Sequence, residues 1–132
     1  MAYGTESVPA VCKIIGPGNA YVAEAKRQVY GTVGIELIGG SSEILIIADE
    51  ENSPEVLAAD MLAQAEHDEM ATAVLITTSE ALAEKVAADI ELQLETLPRG
   101  RIAGASIAHN GQILVVNSLE EAIVLANRMA ST

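Results

Sequence analysis

Glu43-Ile44-Leu45-Ile46-Ile47-Ala48, followed by Asp49-Glu50-Glu51-Asn52 and then Ser53-Pro54, is the stretch whose reading decides the fold. An unbroken apolar run of this length, bounded by polar turn residues, is the pattern of a strand buried on both faces. Ser53 suits a helix N-cap, and Pro54 suits the first helical position, where the missing N–H costs nothing. The spacing predicts a helix from there to about Asp68, with Val56, Leu57, Met61 and Ala65 facing inward.

Working outward, the alternation repeats. Ala73 to Thr77 reads as a strand, and Ser79 opens a helix in which Leu82, Val86, Ile90 and Leu94 recur at helical spacing until Pro98. Arg99 to Asn110 is open between a short helix and a turn. Gln112 to Val116 reads as a strand. Ser118-Leu119-Glu120-Glu121 is a capping box that starts a last helix, reaching about Met129. Upstream, Val11 to Ile15 and Val33 to Ile38 read as strands. Asn19 opens the helix between them, which runs to about Tyr30 with Val22, Ala25 and Val29 on one face.

Gly39-Gly40-Ser41-Ser42 leaves only four residues between two strands, enough for a hairpin or a step between sheets but not for a parallel crossover. The expectation is an α/β, Rossmann-like or flavodoxin-like layered fold, with a mainly parallel sheet of about five strands flanked by helices. It forms a single domain over 1–132. An internal joint at 39–42 separates a strand–helix–strand part from three strand–helix units.

Composition narrows the function. Half of the 132 residues are hydrophobic, and the aromatic 2% consists of tyrosines alone, so the core is built from Ala, Val, Ile and Leu. A formal net charge of -12, with seven Lys and Arg, repels phosphate backbones and anionic bilayers and argues against nucleic-acid or membrane partners. Cys12 is the single cysteine, which excludes an internal disulfide and fits a cytoplasmic chain. Its alternation with apolar neighbours suggests a core position.

A few residues offer chemistry. Gly16-Pro17-Gly18-Asn19 joins a strand to a helix, where free N–H groups can meet an anion; it reads equally as an ordinary turn. Gln64 and His67, three apart with Asp68 behind them, share a helix face and can present an amide oxygen and an imidazole to a divalent metal. A histidine at a helix end is equally explained by the helix dipole. Two donors do not close a zinc site, which takes about four. Ser42 is open between a ligand contact and a turn serine. His109, beside the turn pair Asn110-Gly111, reads as solvated surface in a polar loop.

These residues resemble the histidinol dehydrogenase family. Tyr3-Gly4-Thr5-Glu6-Ser7-Val8-Pro9, Gly16-Pro17-Gly18-Asn19-Ala20-Tyr21-Val22, Ser42-Glu43-Ile44-Leu45, Gln64-Ala65-Glu66-His67-Asp68 and Leu97-Pro98-Arg99 carry the likeness across nearly the whole chain. The resemblance implies a homodimeric enzyme that oxidises L-histidinol to L-histidine with NAD and zinc. It implies Gln64 and His67 as zinc ligands that also contact substrate, Ser42 as a substrate contact and Asn19 as an NAD contact. The family's Pro-Glu-His-Leu run, with its acid/base Glu and His, and the remaining zinc ligands have no counterpart here. Gly39-Gly40-Ser41-Ser42 stands where the family has Ala-Gly-Pro-Ser and resembles an inserted joint. The expectation is an excised or engineered segment, inactive alone, with partial holding of zinc and NAD. Two rivals stand beside it: a structural or self-associating Rossmann-like domain, and a weak nucleotide-binding module.

Overall fold

The computed structural model describes residues 1–39 and 43–129. It falls into two compact units, Met1–Ser41 and Ser42–Thr132.

In the first unit, β1 (Lys13–Ile14) and β2 (Gly34–Ile35) pair in parallel across α1 (Ala20–Gln28). The strands are shorter than the apolar runs predict. Each has one partner in a two-stranded sheet, so the ladder has no second side to extend it. Cys12 is exposed rather than core for the same reason. The inward position of α1 is also not the expected one. Val22 and Ala25 are exposed and Val29 only half-buried, whereas Lys26 is buried at 7%. Its ammonium donates to the carbonyls of Gly16 and Leu37, which replace the water that a buried cation loses.

The second unit holds the main core. β3 (Glu43–Ala48), α2 (Pro54–Ala65), β4 (Thr72–Thr77), α3 (Glu80–Leu94), α4 (Gly100–Asn110), β5 (Gly111–Val115) and α5 (Leu119–Met129) follow in order. The sheet order is β3-β4-β5, all parallel, with Glu43 opposite Thr72 and Ala73 opposite Gly111. The layered α/β expectation holds, but the strands among the described residues divide between a two-stranded and a three-stranded sheet. β2 and β3 lie in different sheets.

β4 is the central strand, and side-chain alternation sends its residues to two separate cores. Ala73 and Leu75 pack with Leu57, Met61, Leu62, Val86, Ile90 and Ala103 of α2, α3 and α4. Val74 and Ile76 pack with Ala122, Leu125 and Ala126 of α5. Val56 is 58% exposed, not inward. The stripe of α2 is centred on Ala58, Met61, Leu62 and Ala65, and Val56 falls outside it. α2 also ends at Ala65, short of the expected Asp68.

The ambiguous stretch after Pro98 is the helix α4, so His109 lies in its last turn rather than in a loop, and is exposed. Asn110-Gly111 makes no turn. Gly111 caps α4 and begins β5 at once, and a Cβ there would lie 2.6 Å from the Ile107 carbonyl oxygen. At α5, Ser118 Oγ accepts from Glu121 N–H, and the Glu121 carboxylate reaches back to Asn117 rather than to the cap residue itself.

Leu75→Ala should lower unfolding stability by about 2–5 kcal/mol, while Val56→Ala should cost less than about 0.5, read as urea midpoints. The Asn117 backbone N–H and then its side-chain amide hold the Glu121 carboxyl below its ordinary pKa. A depressed folded pKa gives stability that is present at neutral pH and is lost as the pH falls through the folded value. Acidification below the ordinary carboxylate range should therefore loosen the first turn of α5, seen as faster amide exchange at Asn117 and Glu121. Glu121→Gln should remove the Glu121 share of that pH dependence and leave the share of Glu120, whose carboxyl its own backbone N–H and then the Ser118 hydroxyl also hold below the ordinary value.

Candidate functional site

The Gly16–Asn19 turn is built by three local constraints. Gly16 takes φ +137°, in the region that favours glycine. A Cβ on Gly18 would lie 2.4 Å from Val22 Cβ, so only glycine lets the helix start this close to the turn. Asn19 caps α1, its Oδ1 accepting from Val22 N–H at 3.2 Å. The Lys26 ammonium then ties the Gly16 carbonyl to that of Leu37, at 3.3 Å from the latter. The sequence named Asn19 but missed Lys26. Its signal was a lysine at the helical spacing of an otherwise apolar face, which reads as solvated until a partner is seen.

Gln64 and His67 lie where α2 meets β4. Gln64 is in the last turn of α2; His67 is just beyond the C-cap, Glu66. The chain tightens there. Glu66 N–H bonds the Leu62 carbonyl at 2.9 Å, and His67 N–H bonds the Gln64 carbonyl at 3.2 Å. The two residues thus stay one short turn apart although His67 is off the helix. His67 is exposed and Gln64 half-buried. Gln64 Nε2 is buried with no hydrogen-bond partner among the described residues. An orphaned buried amide costs about 1–3 kcal/mol, and such groups mark places where something else completes the bonding.

Ser42 lies outside the described residues. It directly precedes β3, whose first residue, Glu43, pairs with Thr72 at the start of β4. The Gln64–His67 turn enters that same amino-terminal end of the three-stranded sheet.

As a metal site, the pair is a partial set. An amide oxygen and an imidazole suit zinc among the divalent ions, whereas the unpartnered group at Gln64 is its amide NH2, which calls for a hydrogen-bond acceptor and not for a metal. Among the described residues, no group of three or more His, Cys, Asp or Glu could hold a metal ion. The two side chains therefore fit as half of a coordination sphere and no more. No helix among the described residues is long and apolar enough to cross a membrane.

The fold and this turn define an α/β protein that carries a pair of metal-type donors at one end of a parallel sheet. The family model for histidinol dehydrogenase matches residues 1–132. The chain is 59% identical to a histidinol dehydrogenase of Bacillus cereus over 130 residues, covering 98% of this chain and 30% of that protein. It is 56% identical to that of Agrobacterium fabrum over 131 residues, with 99% and 30% covered. The crystal structure of histidinol dehydrogenase from Elizabethkingia anophelis superposes with a TM-score of 0.87 at 40% identity, over 98% of this chain and 30% of that one. The chain belongs to the histidinol dehydrogenase family, a family of histidine biosynthesis. It spans about 30% of the length of the relatives it matches.

Lys26→Met keeps the apolar stem but leaves two carbonyls without their cation. It should destabilise the first unit by about 1–3 kcal/mol. Amide exchange at Gly34 and Glu36, whose N–H groups bond the carbonyls of Cys12 and Ile14, should speed accordingly. Unchanged protection there would remove Lys26 from its structural role.

Proposed function

We propose that this chain carries part of the holding surface of an NAD- and zinc-dependent histidinol dehydrogenase, the enzyme that takes L-histidinol to L-histidine. Gln64 and His67 are the chain's zinc donors and touch the substrate, Ser42 contacts the same substrate, and Asn19 contacts NAD. One observation carries the reading: in a chain of this family, Gln64 and His67 stand one short turn apart where α2 ends, closed by the Glu66 and His67 N–H bonds to the Leu62 and Gln64 carbonyls.

The roles follow from what each side chain has left to offer. Asn19 uses Oδ1 for its cap, so its amide NH2 remains for a nucleotide oxygen. Gln64 can present its amide oxygen and His67 a ring nitrogen to the same ion. When bound, zinc supplies a fixed positive charge that orients the amino alcohol. These residues bind and orient; none of them is assigned a proton transfer. A chain with half of the donors holds the parts of the reaction too loosely for hydride transfer, which needs them fixed to within a fraction of an ångström. The same reading extends to this chain the homodimeric state and cytoplasmic location of its family.

The test is a chimera in which residues 1–132 replace the matching stretch of the Bacillus cereus relative. It should form NADH from histidinol and NAD with zinc present, and His67→Ala in it should lose about two orders of magnitude or more. The 132-residue chain alone should form none. A folded chimera whose turnover is untouched by His67→Ala would overturn the reading, as would turnover by the isolated chain.

A further inference from the structure

The link between α2 and β4 has no regular structure, yet its backbone polar groups are widely paired. His67 N–H bonds the Gln64 carbonyl, Ala71 N–H bonds the Asp68 carbonyl at 2.9 Å, and Met70 N–H bonds Asp68 Oδ1 at 2.9 Å. Three carbonyls of the link, spaced two apart, are met by side chains of α4 and of its N-cap residue Arg99. Arg99 Nη2 donates to His67 O at 3.4 Å, Asn110 Nδ2 to Glu69 O at 3.2 Å, and Ser106 Oγ to Ala71 O at 2.8 Å. Ser106 is 1% exposed, so its bond is screened from water. Arg101 adds an exposed ion pair to Glu69, worth little by itself.

The spacing of these donors is physical. Residues 99, 103, 106 and 110 form one stripe of a helix, and Ala103 in that stripe is fully buried in the main core. The same face that anchors α4 therefore carries the hydrogen-bond donors. His67 is left with a backbone held from both sides and a ring exposed to solvent.

We propose that Arg99, Ser106 and Asn110 are positioning residues for His67, fixing its backbone so that its ring meets the ion also held by Gln64. The inference rests on the reading of His67 and Gln64 as metal donors. A merely structural clamp would change stability; a positioning clamp changes metal affinity at one histidine.

The chain has two histidines, so ring NMR signals of His67 and His109 can be followed separately while zinc chloride is added to the full 132-residue protein. His67 should respond at lower zinc than His109, and Gln64→Ala should erase that preference. Arg99→Ala and Asn110→Ala should each raise the zinc midpoint of His67 by about tenfold, as expected for partners that orient a ligand. Core methyl signals of Leu75 and Ile76 should stay in place, and His109 should keep its midpoint in Arg99→Ala. Arg99→Lys, which retains a donor, should recover most of the affinity. Midpoints unchanged in both alanine variants would overturn the positioning role alone. A wild-type His67 that does not respond ahead of His109 would overturn the donor reading and this inference with it.

Discussion

The structure depends on β4 being buried on both faces. Ala73 and Leu75 sit under three helices, and Val74 and Ile76 sit under a fourth, with each of these residues within a few per cent of complete burial. A strand so enclosed satisfies its backbone only through neighbours on either edge, and β3 and β5 supply both ladders in parallel register. Each parallel pairing requires a crossover, and each crossover brings a helix to the same face. α5 follows the last strand and closes the other side.

That constraint also fixes where Gln64 and His67 lie. The α2 crossover must return to the amino end of β4, so the residues after α2 arrive at the edge where β3 and β4 begin. Open α/β sheets usually bind ligands at the carboxyl ends of their strands. Here the Gln64–His67 turn is at the opposite edge. The helix N-termini that serve anions at the usual edge are not the chemistry on offer; an amide and an imidazole following a helix C-terminus suit a cation instead.

The parts of the fold that were legible in the sequence are those whose pattern has one physical cause. The Pro54 start of α2 and the regular leucine and valine spacing of α3 follow from backbone geometry and burial alone, whereas the Ile-Leu-Ile-Ile run gave β3 as a strand but not its edge position, where Ile47 is 38% exposed, and Ser53 stands at the N-cap of α2 without a side-chain cap bond. α4 was not legible. Its inward residues are Ala103 and Ser106, small or polar, so the apolar stripe that announces a helix is faint. α1 misled for the converse reason: Val22 and Ala25 look like a core face, but a lysine with two carbonyl partners is what the unit buries. The likeness to histidinol dehydrogenases pointed at Gln64 and His67 without showing what surrounds them.

What surrounds them matters because a hydrogen bond to a loop carbonyl acts differently from one within a helix. Helical bonds are cooperative and local, so losing one frays a turn. The Arg99, Ser106 and Asn110 bonds span 32 to 41 residues and connect a crossover to a separate helix. Each of them removes freedom from a segment that has no ladder of its own. An exposed side chain on such a segment inherits the rigidity of α4, whose Ala103 and Ser106 are locked in or against the core. The backbone at His67 is thus tied, one step removed, to the packing around Leu75, and the interior that makes the sheet also steadies this link.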